Sequence, residues 1–145
     1  MYRTTHPPPN TNPSTVEEIF ADINGRRSGF LQAFFVDVDS VFALCNPEEE
    51  ELCLYAYPNE RWNVSPPHLQ VPPDIPEPVL GINFVRDGMP RKAWLQFVAG
   101  HCDSWLLYLA FFFGCRLNRH ERTRLFDLID AQPTLYEQVT NRPSE

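Results

Sequence analysis

The spacing of apolar positions predicts helices through most of the chain, with a short β-leaning stretch between two helical halves. Val16, Ile19, Phe20 and Ile23 fall at i, i+3, i+4 and i+7 and mark one helical face. Ser14-x-x-Glu17 fits a capping box at its start, and Asn24-Gly25 predicts a stop or bend. Leu31, Phe34, Phe35, Val38, Val41, Phe42 and Cys45 make a wide stripe, so a second helix is expected from about Ser28 to Cys45, ended by Asn46-Pro47. Leu52 to Tyr57 and Arg61 to Val64 read as two short strands joined through Pro58-Asn59. Seven prolines between Pro58 and Pro78 exclude a helix or central strand there. That segment is expected to run extended, with Leu69, Val71 and Ile75 packing across the domain. Val79 to Val85 is the best strand candidate in the chain, closed by a turn at Asp87-Gly88.

The second half is predicted to be helical. Pro90 suits a first helical position, and Trp94, Leu95, Phe97 and Val98 give a short helix to about Ala99. Gly100 allows a break, after which Asp103 or Ser104 would cap a new helix ending at Gly114. That helix holds the longest apolar run, the nine residues Trp105 to Phe113. An element apolar all round is buried all round, and polar flanks make the run too short for a membrane span, which needs about 20 apolar residues. Asn118-x-x-Glu121 opens a helix with Leu125, Phe126, Leu128 and Ile129 on one side and Arg119, Arg122 and Arg124 on the other. Pro133 starts a last helix with Leu135, Tyr136 and Val139 facing inward. The expected fold is α+β and mostly helical: five or six helices around a buried central helix, with a small antiparallel β-ribbon. Residues 1–13 form a proline-rich arm without a hydrophobic face, 14–141 one domain, and 142–145 a tail.

Charge and composition narrow the function. A net charge of −7 disfavours the whole surface as a nonspecific nucleic-acid binder. Eleven of the twelve basic residues are Arg, which suits fixed contacts with carboxylates and rings as well as simple codon bias. No apolar leader follows Met1, and Cys45, Cys53, Cys102 and Cys115 form no Cys-x-x-Cys pair. They read as small buried hydrophobes kept reduced.

Catalytic patterns are missing. The four cysteines and His6, His68, His101 and His120 lack zinc-ligand spacing, so no metal or cofactor site is expected. His101 and Cys102 are adjacent and point about 100° apart on a helix, a poor base–nucleophile pair. Asp37-x-Asp39 and Glu48 to Glu51 read as solvated surface, and Asn83, Arg86 and Asp87 as groups that hold a turn or grip a ligand.

Several segments in order resemble one family. They include Thr15-Val16-Glu17-Glu18-Ile19-Phe20, Gly25-Arg26-Arg27-Ser28-Gly29, Pro58-Asn59-Glu60-Arg61-Trp62 and Gly81-Ile82-Asn83-Phe84-Val85-Arg86-Asp87-Gly88-Met89. Asp103-Ser104-Trp105-Leu106-Leu107 and Arg122-Thr123-Arg124-Leu125-Phe126 follow. Together, from about Ser14 to Asn141, they resemble the N-terminal domain of plant Alfin-like proteins. The resemblance implies a nuclear, chromatin-associated regulator that is not an enzyme. This domain would mediate self-association, as a homodimer, and contacts with chromatin-complex proteins or their peptides. It also implies a C-terminal PHD finger that reads a methylated histone tail, and binding to G-rich DNA. A PHD finger needs about seven Cys and one His; four Cys are too few, so the finger is expected to be absent from this chain. Partner docking is expected in a groove near Trp62, Asn83, Arg86, Trp94 and Trp105. The alternative is DNA contact through Arg116, Arg119, Arg122 and Arg124, with Arg26-Arg27 as a second basic patch.

Overall fold

In the computed structural model, which describes residues 12–67 and 75–142, α1 (Val16–Leu31) runs straight through Asn24-Gly25. The expected stop does not occur because the glycine serves a tertiary contact. A Cβ on Gly25 would lie 2.0 Å from the Pro58 carbonyl oxygen, and one on Gly29 would lie 2.7 Å from that of Arg61. These two glycines let the helix backbone seat against the hairpin turn. The capping box is one residue later than expected: Thr15 Oγ1 accepts from Glu18 N–H, and the Glu18 carboxylate accepts from Thr15 N–H. Glu17 is left to pair with Arg124 across 2.6 Å. The expected second helix is a wide π turn (Gln32–Val36) that continues α1, followed by α2 (Val38–Leu44).

β1 (Cys53–Ala56) and β2 (Trp62–Ser65) pair antiparallel, with Leu54 opposite Val64 and Tyr55 opposite Asn63. The turn closes through the Tyr57 amide on the Arg61 carbonyl, and Glu60 takes a left-handed φ of 71°. The expected strand Val79 to Val85 is overturned. Gly81, at φ 78°, sends the chain into a 3₁₀ turn (Ile82–Gly88), and the Gly81 and Ile82 amides both donate to the Leu52 carbonyl. A strand there would leave Asn83 pointing away from the carbonyls that it binds. Of the proline-rich segment, Leu69 and Val71 lie outside the described residues, as do residues 1–11 of the N-terminal arm. Ile75 and Val79 pack against the core as expected.

α3 (Arg91–Phe113) is one continuous helix of 23 residues, with Pro90 as its N-cap. Gly100 does not break it. Trp94, Val98, Ala99, Cys102, Trp105, Leu106, Leu109 and Phe113 form one buried stripe across the glycine, and that burial outweighs the roughly 1 kcal/mol cost of glycine in a helix. Asp103 therefore caps no helix of its own. Its two carboxylate oxygens accept the Leu135 and Tyr136 amides at 2.8 and 2.9 Å, capping α5 (Leu135–Thr140) from across the domain. Thr134, one residue after Pro133, is the N-cap of α5 in a capping box with Glu137. α4 (Arg119–Asp130) opens with the expected Asn118–Glu121 box and buries Leu125. The fold is α+β and mostly helical, with one antiparallel ribbon, and α3 packs against α1 and α5. No helix among the described residues is long and apolar enough to cross a membrane.

Trp105 to Phe113 is not buried all round, because α3 lies on the flank of the domain and only one of its sides meets the core. Leu107, Tyr108 and Phe111 are 41 %, 62 % and 59 % exposed. Tyr136 also faces outward, and Cys115 is exposed where a buried thiol was expected.

Candidate functional site

The three tryptophans staple irregular chain onto the scaffold. Trp94 donates from its indole to the Ile82 carbonyl at 2.9 Å, Trp105 to that of Pro76 at 2.7 Å, and Trp62 to the Asp37 carboxylate at 2.8 Å. Asp37, read from the sequence as solvated, is thus tied to the hairpin. Trp94 and Asn83 have no exposed surface and Trp105 only 4 %. These three shape the interior and offer a partner nothing to touch. Arg86 bonds the Phe42 carbonyl and the Asp87 carboxylate, with its guanidinium 4.6 Å from the Phe42 ring centre. Arg91 lies 4.8 Å from the same ring, so Phe42 is bracketed by two cations. The five residues expected to line one groove therefore do not form one.

The basic residues are not equally available. Arg124 is engaged with Glu17, and Arg122 donates to the Leu117 carbonyl. Arg116 and Arg119 are exposed, and no side-chain bond to a described residue holds either. Arg26 is folded inward, paired with Asp22 at 2.6 Å and 5.5 Å from the Trp105 ring centre. Arg27 donates to the Pro133 carbonyl and to Gln138 Oε1.

A further exposed surface is the outer side of α3. Phe97, His101, Ser104, Tyr108 and Phe111 recur at alternating four- and three-residue steps, the spacing of a helix-packing seam. Phe97 stacks edge-on with His101 at 4.7 Å, and Phe111 packs on Phe126 at 4.5 Å. Tyr136 lies over Gly100 beside the seam. Tyr108 and Phe111 are the most exposed of the Phe, Tyr and Trp side chains on α3, whereas Phe97 is half-buried.

Beside this stripe sits a half-enclosed pocket of about 130 Å³ between α1, α3 and the α4–α5 loop, with Asp103 and Arg27 in its wall. Burial pushes the Asp103 carboxyl above its ordinary value, against the opposing pull of two backbone amides and Arg27. Burial likewise lowers Arg27, with Asp103 opposing. Backbone and hydroxyl donors at the helix caps hold Glu18 and Glu137 below the usual range. A carboxyl raised in the folded state contributes most below its unfolded pKa, and that contribution is lost as pH rises through the raised value. Glu18 and Glu137 act in the opposite sense, losing their contribution as pH falls through their lowered values. In a carboxyl-carbon NMR titration, Asp103 is expected to protonate with its midpoint above 3.8, and Glu18 and Glu137 with midpoints below 4.5. Burial pushes the Cys45 thiol up to about 12 and Cys53 to about 11, so both stay protonated and poorly nucleophilic at neutral pH.

A family model described as Alfin matches residues 15–141. The chain belongs to the Alfin family. It is similar to PHD finger protein ALFIN-LIKE 1 of Arabidopsis thaliana, at 61 % identity over 92 % of this chain and 55 % of that protein. It is also similar to PHD finger protein ALFIN-LIKE 2 of Oryza sativa subsp. japonica (56 %, over 93 % and 55 %) and ALFIN-LIKE 4 of Arabidopsis thaliana (55 %, over 88 % and 51 %). The chain spans about half the length of the curated relatives it matches.

In this Alfin domain the exposed stripe on α3 escaped sequence reasoning because nine apolar residues in a row carry no amphipathic contrast. The spacing of Phe97, His101, Ser104, Tyr108 and Phe111 groups them on one side of the helix, but only the fold shows that this side lacks a neighbour.

Proposed function

We propose that this chain is a non-enzymatic protein-interaction module of a nuclear, chromatin-associated regulator, and that it self-associates through the outer side of α3. The observation that carries this reading is the exposed Tyr108–Phe111 stripe on the longest helix of an Alfin domain. The relatives' names support a PHD-finger protein as the setting.

The stripe is complementary to itself. Ser104 is small and exposed, whereas Tyr108 and Phe111 are large and project. In a two-fold antiparallel pair, Tyr108 of one copy meets Ser104 of the other and Phe111 meets His101. Such an isologous contact closes on itself and stops at a dimer. Sedimentation at several concentrations tests it. The wild type is expected to move from monomer to dimer as concentration rises. Tyr108→Glu or Phe111→Glu each weakens the dimer at least about tenfold, as expected for loss of a central aromatic anchor, without changing the helical circular dichroism. A wild-type chain that stays monomeric at every concentration sinks the reading.

A further inference from the structure

The pocket beside the stripe has its own chemistry. Ile23, Leu106, Leu107, Ile129 and Pro133 give it an apolar wall. Its volume of about 130 Å³ lies just under that of an apolar cavity of roughly 150 Å³ that accepts one benzene. A branched aliphatic side chain fits, and an indole does not. The charged groups at its edge are unequal. The Arg27 guanidinium is spent on the Pro133 carbonyl at 2.8 Å and Gln138 Oε1 at 2.5 Å, inside the protein. Asp103, deeper in the wall, is likewise engaged by the Leu135 and Tyr136 amides and offset by the Arg27 charge, which leaves the exposed Asp130 carboxylate at the rim as the uncompensated charge. An occupant therefore meets an apolar floor and a net negative edge.

We propose that this pocket receives a leucine-sized side chain of a partner peptide whose flanking residues are basic. The inference rests on reading the chain as an interaction module, and it names a partner chemistry at a site separate from the self-association seam. Asp130 would face the flanking cation, and Leu107 would close over the aliphatic anchor from the α3 side. The floor gains by excluding water from the anchor, and the rim selects against acidic flanks.

The test is a methyl NMR titration of the whole chain with three capped peptides, Ac-Ala-Arg-Leu-Arg-Ala-NH2, its Leu-to-Ala form and its Arg-to-Glu form. The Arg-Leu-Arg peptide is expected to move the Ile23, Leu106 and Ile129 methyl signals saturably. The Leu-to-Ala peptide should bind about tenfold more weakly, from the lost apolar burial. The Arg-to-Glu peptide should give no saturable shift. Asp130→Asn, an exposed change outside the core, should weaken the Arg-Leu-Arg peptide about threefold, as for an ion pair at a rim. No saturable movement of those methyls overturns the proposal, as does equal binding of any two of the three peptides. Sedimentation of the same samples separates the two readings: intact self-association with an unresponsive pocket removes this proposal alone.

Discussion

Gly25→Ala is expected to destabilise the domain by about 3 kcal/mol, a fall of about 10 °C in Tm. Helix propensity predicts the opposite sign. Gly25 lies inside α1, and replacing a helical glycine by alanine ordinarily gains about 1 kcal/mol. Here the new methyl would sit 2.0 Å from the Pro58 carbonyl oxygen and 2.7 Å from its carbon. Those are backbone atoms of the hairpin turn and cannot swing aside like a side chain. The turn is further held by the Tyr57 amide on Arg61 and by Arg26, which donates to the Ala56 carbonyl. Relief requires α1 and the hairpin to separate, which opens the close contact of Gly25 and Gly29 with Ala56, Pro58 and Arg61. Gly88→Ala is the control: a methyl added at Gly88 would meet no atom within 4 Å, and the unfolding midpoint of that variant should match the wild type. Urea unfolding of both variants checks the pair. A Gly25→Ala midpoint at or above the wild-type value would show that the close seating is wrong.

The second large effect is at Asn83. Its amide is fully buried and holds the acidic loop in place. Oδ1 accepts the Leu52 amide at 3.0 Å, and Nδ2 donates to the Asn46 and Glu50 carbonyls at 2.9 and 3.0 Å. Asn83→Leu keeps the branched shape but leaves these groups without partners. The expected loss is about 3 kcal/mol, because an orphaned buried polar group costs far more than a hydrogen bond contributes. Hydrogen exchange gives a local readout: the Leu52 amide should lose its protection beyond what global destabilisation explains. Unchanged protection at Leu52 would refute the bond. The four carboxylates Glu48 to Glu51 are exposed as expected, but their loop is set from inside by a residue more than thirty positions away.

Much of the secondary structure was legible. The Asn118–Glu121 cap, the β-hairpin and the buried positions of α1 followed from spacing and from turn residues. Three of the errors turn on glycine. Asn24-Gly25 and Gly100 read as breaks and Gly81 as the middle of a strand, yet of the three only Gly81 has a left-handed φ. Gly25 is there for close packing, and Gly100 is spanned by a continuous buried stripe. A glycine in sequence announces freedom or closeness without saying which. The candidate groove failed for a related reason. Trp94, Trp105 and Asn83 carry polar atoms and large surfaces, the attributes of binding residues, but those atoms are consumed by Ile82, Pro76 and the 46–52 loop.

By itself the sequence determined the membership of the Alfin family, the mostly helical class and the position of the longest apolar run. Each depends on local periodicity or on ordered segments that survive without coordinates. Only the tertiary structure decided which side of that run is left uncovered, which arginines are spent, and which helix Asp103 caps. These depend on contacts between residues far apart in the chain, such as Asp103 with Leu135 and Glu17 with Arg124. Local patterning cannot encode them, since burial is a property of what packs alongside and not of the segment alone.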